Sequence, residues 1–96
     1  MPKAEQADVE HVLQQLHDLG LTHLRARKRA SLLTVESGPE DDPIAHFRLR
    51  RLDARTWGLE FPARGTKWER TPFADVLSEL VNTVVSNFGW MVQPLT

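Results

Sequence analysis

The stretch AHFRLRRLDARTWGLEF, residues 45–61, constrains the fold more than any other segment of the chain. Apolar and polar side chains alternate in it up to Arg50, and a period of two is typical of a strand with one buried face. One face then carries Ala45, Phe47 and Leu49, and the other carries His46, Arg48 and Arg50. Beyond a turn, the matching apolar set is Trp57, Leu59 and Phe61. The pattern predicts an antiparallel hairpin with one apolar and one basic face.

The length of the hairpin loop decides which side chains share a face. A two-residue loop would set Arg50 opposite Trp57 and mix the two faces, whereas a loop of three or five residues keeps the apolar side chains together. We therefore expect an odd-length loop. That register places Glu60 opposite Arg48 or His46, where opposite charges on neighbouring strands contribute about 0.2 to 1 kcal/mol.

Both ends of the chain show helical spacing. The first apolar stripe predicts a helix from about Ala4 to Leu19, ended by Gly20 in a left-handed conformation. Its members are Val9, Val12, Leu13, Leu16 and Leu19. A second stripe predicts a helix that starts with Thr71 and Pro72 as N-cap and first-turn residues and runs up to Gly89. Its members are Phe73, Val76, Leu77, Leu80, Val84 and Phe88, widened by Val81 and Val85. So broad a stripe favours packing on the sheet and also on the first helix or a partner chain.

The segment SLLTVES, residues 31–37, adds a third strand, and the tail WMVQPL suits a short edge strand. A chain of 96 residues supports one hydrophobic core. We therefore predict a single α+β domain over residues 1–96. Its order is helix, three-stranded antiparallel sheet, possibly extended by an edge strand, and helix, with both helices on one face of the sheet.

Composition and motifs argue against several classes of function. The chain has no cysteine, which removes disulfides and thiolate zinc sites. The N-terminus lacks the apolar run of a signal peptide, and no apolar segment is long enough to span a bilayer, so we expect a cytoplasmic protein without membrane contact. The four histidines, His11, His17, His23 and His46, lack the spacing of a shared metal site. The acidic residues 40–42 lack the regular ligand spacing of a calcium loop, which favours a solvated turn.

No serine stands in a Gly-x-Ser-x-Gly elbow, and no glycine-rich phosphate loop is present. We therefore predict a protein that is not an enzyme and needs no metal or cofactor. Helix, three strands, helix is also the element order of the double-stranded RNA-binding domain. However, the stretch TPFADVLSEL carries Asp75 and Glu79 where that family has lysines, so the order alone identifies no family.

The first candidate binding surface is the basic face of the sheet. Its predicted members are Arg25, Arg27, Arg29, His46, Arg48 and Arg50. They either form a solvated charge ladder with Glu36 and Glu60 or bind phosphate, which the forked donors of arginine suit well. The formal net charge of −1 opposes a general attraction for nucleic acid.

The second candidate surface is aromatic. Trp68 stands in the polar stretch ARGTKWERT, where an aromatic residue either covers an edge of the core or is an exposed interaction anchor. Trp90 in the tail is a further candidate anchor. We expect a small protein-interaction or regulatory domain, a homodimer or a binder of another protein, with nucleic-acid binding through the basic face as the alternative.

Overall fold

The computed structural model describes residues 2–89 and Val92. Within them, one helix is followed by five strands and a second helix. The helices are α1 (Gln6–Asp18) and α2 (Leu77–Asn87). The strands are β1 (Arg25–Arg29), β2 (Leu32–Ser37), β3 (Ile44–Arg51), β4 (Trp57–Pro62) and β5 (Trp68–Asp75). The α+β class is confirmed, but the sheet has five strands where the sequence predicts three.

The strands form one antiparallel sheet in the order β1-β2-β3-β4-β5. In the central hairpin Arg51 pairs with Trp57, so residues 52–56 form a five-residue loop. This confirms the odd-length loop. Glu60 lies opposite Arg48, which is one of the two positions that the register predicts.

One apolar cluster lies between the sheet and both helices. The sheet contributes Leu33, Val35, Phe47, Leu49, Trp57 and Leu59, and the helices contribute Val9, Val12, Leu16, Leu80, Val81 and Val84. All of these side chains are buried. Each large apolar side chain stabilises the fold by about 1.5 to 3 kcal/mol when it leaves water. Both helices therefore pack on the same face, as predicted, and we call the opposite face of the sheet the outer face.

Helix α1 ends as its sequence predicts. Gly20 has a φ of 85°, a left-handed conformation that glycine adopts without a Cβ clash. The Gly20 N–H donates to the His17 carbonyl and the Leu21 N–H donates to the Leu16 carbonyl, both at 3.0 Å. These two bonds satisfy carbonyls at the end of the helix and turn the chain toward β1.

The predicted start of the second helix is wrong. Thr71 and Pro72 lie within β5, and α2 begins six residues after Thr71, at Leu77. The Thr71 hydroxyl does not cap a helix but donates to the Leu59 carbonyl of β4 at 2.9 Å. Pro72 fits because β5 is a terminal strand whose outward N–H groups need no partner in the sheet.

The wide apolar stripe of α2 is buried within the chain. Leu80, Val81 and Val84 belong to the core, and Gln15 of α1 donates to the Ser78 carbonyl at 2.9 Å. The stripe therefore needs no partner chain to cover these residues. Trp90, together with Met91 and residues 93–96, lies outside the described residues, so the structure does not place this predicted anchor.

The prediction that His46 shares a face with Arg48 and Arg50 is wrong. The register of β2 against β3 shifts between Val35 and Glu36, and this β-bulge breaks the alternation of faces at His46. The His46 side chain is buried, with its Nε2 2.6 Å from the Ser37 hydroxyl and its ring 6.2 Å from that of His23. His46 is therefore not part of the basic surface.

Candidate functional site

The outer face carries two rows of residues that cross all five strands. The first row is Arg27, Thr34, Arg48, Glu60 and Arg70, each paired with the next. The second row is Arg29, Leu32, Arg50, Gly58 and Ala74. Because neighbouring strands lie about 4.8 Å apart, each row is about 19 Å long. The pairing thus brings arginines from three different strands, β1, β3 and β5, onto one surface.

Glu60 organises the centre of this surface. Its carboxylate accepts hydrogen bonds from Nε of Arg48 at 2.6 Å and Nε of Arg50 at 2.7 Å, and Nε of Arg70 lies 3.9 Å away. Glu60 is only 2% exposed, and burial by itself raises the pKa of a carboxyl group. The hydrogen bonds from Arg50 and Arg48, with their positive charges, more than offset burial, so the pKa of Glu60 lies below its usual range.

We call Arg48, Arg50 and Arg70 around Glu60 the arginine cluster. Each of the first two guanidinium groups uses Nε for Glu60, and its Nη nitrogens have no hydrogen-bond acceptor among the described residues. The Arg70 side chain is 79% exposed. One carboxylate cannot neutralise three guanidinium groups, so the cluster keeps a net positive charge and several free donors. Such donors bind carboxylate or phosphate oxygens, often in pairs.

Trp68 lies beside the cluster and not in the core. It is the first residue of β5, where it pairs with Pro62, and its side chain is half-buried. The Arg48 guanidinium carbon lies 4.4 Å from the centroid of the Trp68 ring, a cation–π contact. Trp68 therefore covers part of the outer face and leaves part of its indole in solvent.

The three arginines of β1 extend the positive surface. Arg27 donates to Glu36 at 3.0 Å but remains 59% exposed, and Arg25 donates to the Gly38 carbonyl at 2.5 Å. Arg29 is exposed. Of the six predicted residues of the basic face, the structure thus brings five together and excludes His46.

A concavity of about 170 Å³, which the sequence did not predict, lies beside the arginine cluster. Its lining includes Arg50, Leu52, Gly58, Glu60, Arg70 and Phe73. Because Gly58 has no side chain, it leaves a gap among the side chains of the outer face. A Cβ at this position would contact the Leu52 side chain at 3.5 Å, an ordinary van der Waals distance. Glycine weakens a strand and often marks a close approach by another group. A glycine in the middle of a predicted strand was the signal in the sequence.

The β3–β4 loop brings Leu52 to this concavity. The Asp53 carboxylate accepts hydrogen bonds from the backbone N–H groups of Arg55 at 2.9 Å and Thr56 at 2.8 Å. These bonds lower the pKa of Asp53 and fix the loop. Leu52 remains half exposed at the edge of the concavity.

Comparison of the chain with protein-family models, curated proteins and solved structures gives no match. Within residues 2–89 and Val92, no group of three or more histidine, aspartate or glutamate side chains is arranged to hold a metal ion. No helix in the same part of the chain is long and apolar enough to cross a membrane. The arginine cluster and the concavity beside it together form the candidate functional site.

Proposed function

We propose that this protein is a non-enzymatic interaction module that binds an acidic segment of a protein on the outer face of its sheet. The observation that carries the proposal is the arginine cluster, in which Glu60 fixes Arg48 and Arg50 while no residue that the structure describes accepts a hydrogen bond from their Nη donors. The planar fork of a guanidinium group matches a carboxylate in geometry and charge. An aspartate- or glutamate-rich segment offers such carboxylates in series.

The cluster is ordered before any partner arrives. Glu60 holds Nε of both Arg48 and Arg50, and the Trp68 ring lies against the Arg48 guanidinium. Ordering a free arginine side chain on binding costs about 0.5 to 1.5 kcal/mol. Because the folded chain already holds Arg48 and Arg50 in place, much of this entropy cost does not arise on binding. The arrangement therefore favours a binding surface over a solvated charge ladder with mobile side chains.

One observation favours a protein partner over nucleic acid. Leu52 and Phe73 give the concavity an apolar wall that suits an aliphatic side chain, which a protein segment carries beside its carboxylates. The formal net charge of −1 and the carboxylates of Glu36 and Glu60 oppose both kinds of anionic partner, so charge does not separate them. Nucleic acid remains the second candidate, because arginines and a half-buried tryptophan share one face, as in single-strand binding surfaces.

The test is a titration of the isotopically labelled protein with a ten-residue oligoglutamate, followed by nuclear magnetic resonance. We expect saturable shifts of the Nε–Hε signals of Arg48, Arg50 and Arg70 and of the Trp68 indole, while the buried Trp57 indole stays unchanged. Added salt weakens the binding, because exposed charges are screened over about 10 Å at 0.1 M.

A matched pair of variants separates the cluster from general charge. Arg70→Gln removes an exposed arginine of the cluster, and Arg55→Gln removes one from the β3–β4 loop. We expect only Arg70→Gln to weaken the binding. Equal effects of both variants, or no saturable shift with oligoglutamate, would contradict the proposal. Tighter binding of a twenty-residue oligothymidylate than of oligoglutamate would favour the second candidate instead.

A further inference from the structure

The chain carries its own acidic segment at one end of the sheet. Residues 38–43 join β2 to β3 and include Glu40, Asp41 and Asp42, all exposed. We call residues 38–43 the acidic turn. Ile44 follows the turn directly and is 42% exposed. The turn thus combines three carboxylates with an adjacent aliphatic side chain.

The acidic turn matches the surface described above in both charge and shape. Its carboxylates complement the free donors of the arginine cluster, and Ile44 offers an apolar group to the concavity beside them. A cavity of about 150 Å³ holds a molecule the size of benzene. At about 170 Å³, the concavity next to Arg50 and Arg70 has room for an aliphatic side chain.

The turn cannot reach the concavity of its own chain. It enters β3 at Ile44, whereas Arg50, Leu52 and Gly58 lie at or beyond the far end of that strand. Eight residues of extended strand span about 24 Å. The acidic turn and the concavity are therefore at opposite ends of the molecule, and only a second molecule can bring them together.

We propose that the acidic turn of one copy binds the arginine cluster and concavity of a second copy, so that the chain pairs with itself. This inference rests on the proposed function and specifies the acidic segment. Two copies with their β3 strands antiparallel would each supply one turn and one cluster. Such a twofold arrangement closes on itself and gives a dimer, not a filament.

Complementary charge reversal tests the pairing. The turn variant carries Asp41→Lys and Asp42→Lys. The face variant carries Arg70→Glu in the arginine cluster and Arg29→Glu on β1, in the same cross-strand row as Arg50 of the cluster. All four side chains are exposed, and no hydrogen bond to them is present among the described residues. The 3.9 Å approach of Arg70 to Glu60 is largely screened because the Arg70 side chain is 79% exposed, so both variants are expected to fold. A control variant with Glu10→Lys and Asp18→Lys makes the same change in net charge as the turn variant, but on α1, away from the outer face.

Analytical ultracentrifugation over micromolar concentrations gives the readout, with circular dichroism to confirm folding. We expect a dimer for the wild type and the control variant. The turn variant and the face variant each weaken self-association about tenfold or more, because like charges then face each other. A one-to-one mixture of these two variants pairs again, since both contacts in the mixed dimer join opposite charges.

Each other outcome contradicts the inference. A wild type that stays monomeric at 100 micromolar rules out self-pairing, while the oligoglutamate titration still decides whether the cluster binds acidic segments. A dimer that survives in both variants places the contact elsewhere. Variants that are monomeric alone and also when mixed show that the turn and the cluster do not bind each other.

Discussion

Arg48 lies over the ring of Trp68, with 4.4 Å between the guanidinium carbon and the centroid of the indole ring. Its Nε also donates to Glu60 at 2.6 Å, so the same guanidinium joins an aromatic ring to a buried carboxylate. The contact fixes one side of the arginine cluster and shows why a half-buried tryptophan is found outside the core.

Replacing Trp68 by alanine is expected to reduce stability only modestly. Cation–π contacts at exposed sites contribute about 0.5 to 1 kcal/mol, and part of the indole surface is already in solvent. By contrast, Trp57 is 2% exposed, and Trp57→Ala is expected to cost about 3 to 5 kcal/mol. Urea unfolding measures both. Losses of similar size for the two variants would show that Trp68 is part of the core.

The Glu60→Gln variant tests the centre of the cluster. Without the carboxylate charge, Arg48 and Arg50 repel each other across a buried amide, and we expect a loss of about 3 to 5 kcal/mol. Glu36→Gln is the matched control, because Glu36 is also buried but pairs with one arginine, Arg27, whose side chain is 59% exposed, so we expect a loss of about 1 kcal/mol or less. Chemical unfolding at pH 7 compares the two. An equal loss would mean that the two largely buried arginines of Glu60 add nothing beyond one exposed partner.

Acid is expected to remove the contribution of Glu60. The pKa of Glu60 is lowered in the folded chain, so its charge stabilises the fold above the unfolded pKa of about 4.3, and this contribution is lost as the pH falls through the folded value. The free-energy difference between wild type and Glu60→Gln should therefore shrink steadily below pH 4. A difference that stays constant from pH 7 to pH 3 would exclude this explanation.

The double substitution Arg48→Glu with Arg50→Glu illustrates what sequence alone does not show. Alternation places both arginines on the face away from the core, where charge reversal is expected to cost about 0.5 kcal/mol or less. The structure places both on buried Glu60, so the variant would set three carboxylates against one another. We expect a loss of more than about 3 kcal/mol, measured by thermal and chemical unfolding. A stable double variant would show that Glu60 does not depend on its partners.

Filling the concavity tests its role without a change of charge. Gly58→Val is expected to keep or raise the melting temperature, because valine favours strands and Gly58 has no left-handed conformation. The same variant should weaken self-association. Thr34→Val, on the same face but outside the concavity, is the control. If Gly58→Val self-associates as strongly as the wild type, the concavity is not part of the contact between the two copies.

The predicted and observed folds agree where hydrophobic alternation determines the structure. The central hairpin, its odd loop and the end of α1 at Gly20 follow from side-chain period and glycine conformation alone. Strand β5 was not predicted, for two reasons. Phe73 and Val76 extend the helical spacing of α2 toward the N-terminus, and the threonine–proline pair before them resembles the start of a helix. Pairing with β4 outweighs that local signal.

The candidate site was predictable only in part. The alternation of polar and apolar residues assigned five arginines to one face. Alternation gives the direction of a side chain but not how deeply that side chain is buried. Glu60 is buried on a face without helices because the arginines of the neighbouring strands lie over it. The contribution of Arg70 depends on the pairing of β4 with β5, and this strand pair was not predicted.

The terminal strands restrict how a partner can attach. β1 has the sequence RARKR, and its row of like charges repels a second strand of the same kind. β5 contains Pro72, and its register against β4 is irregular between Gly58 and Glu60, which interrupts the straight ladder that an added strand requires. Growth of the sheet by backbone pairing, the route to aggregation, is therefore disfavoured at both ends. Recognition is left to side chains, so the identity of a partner depends on its sequence and not only on its ability to form a strand.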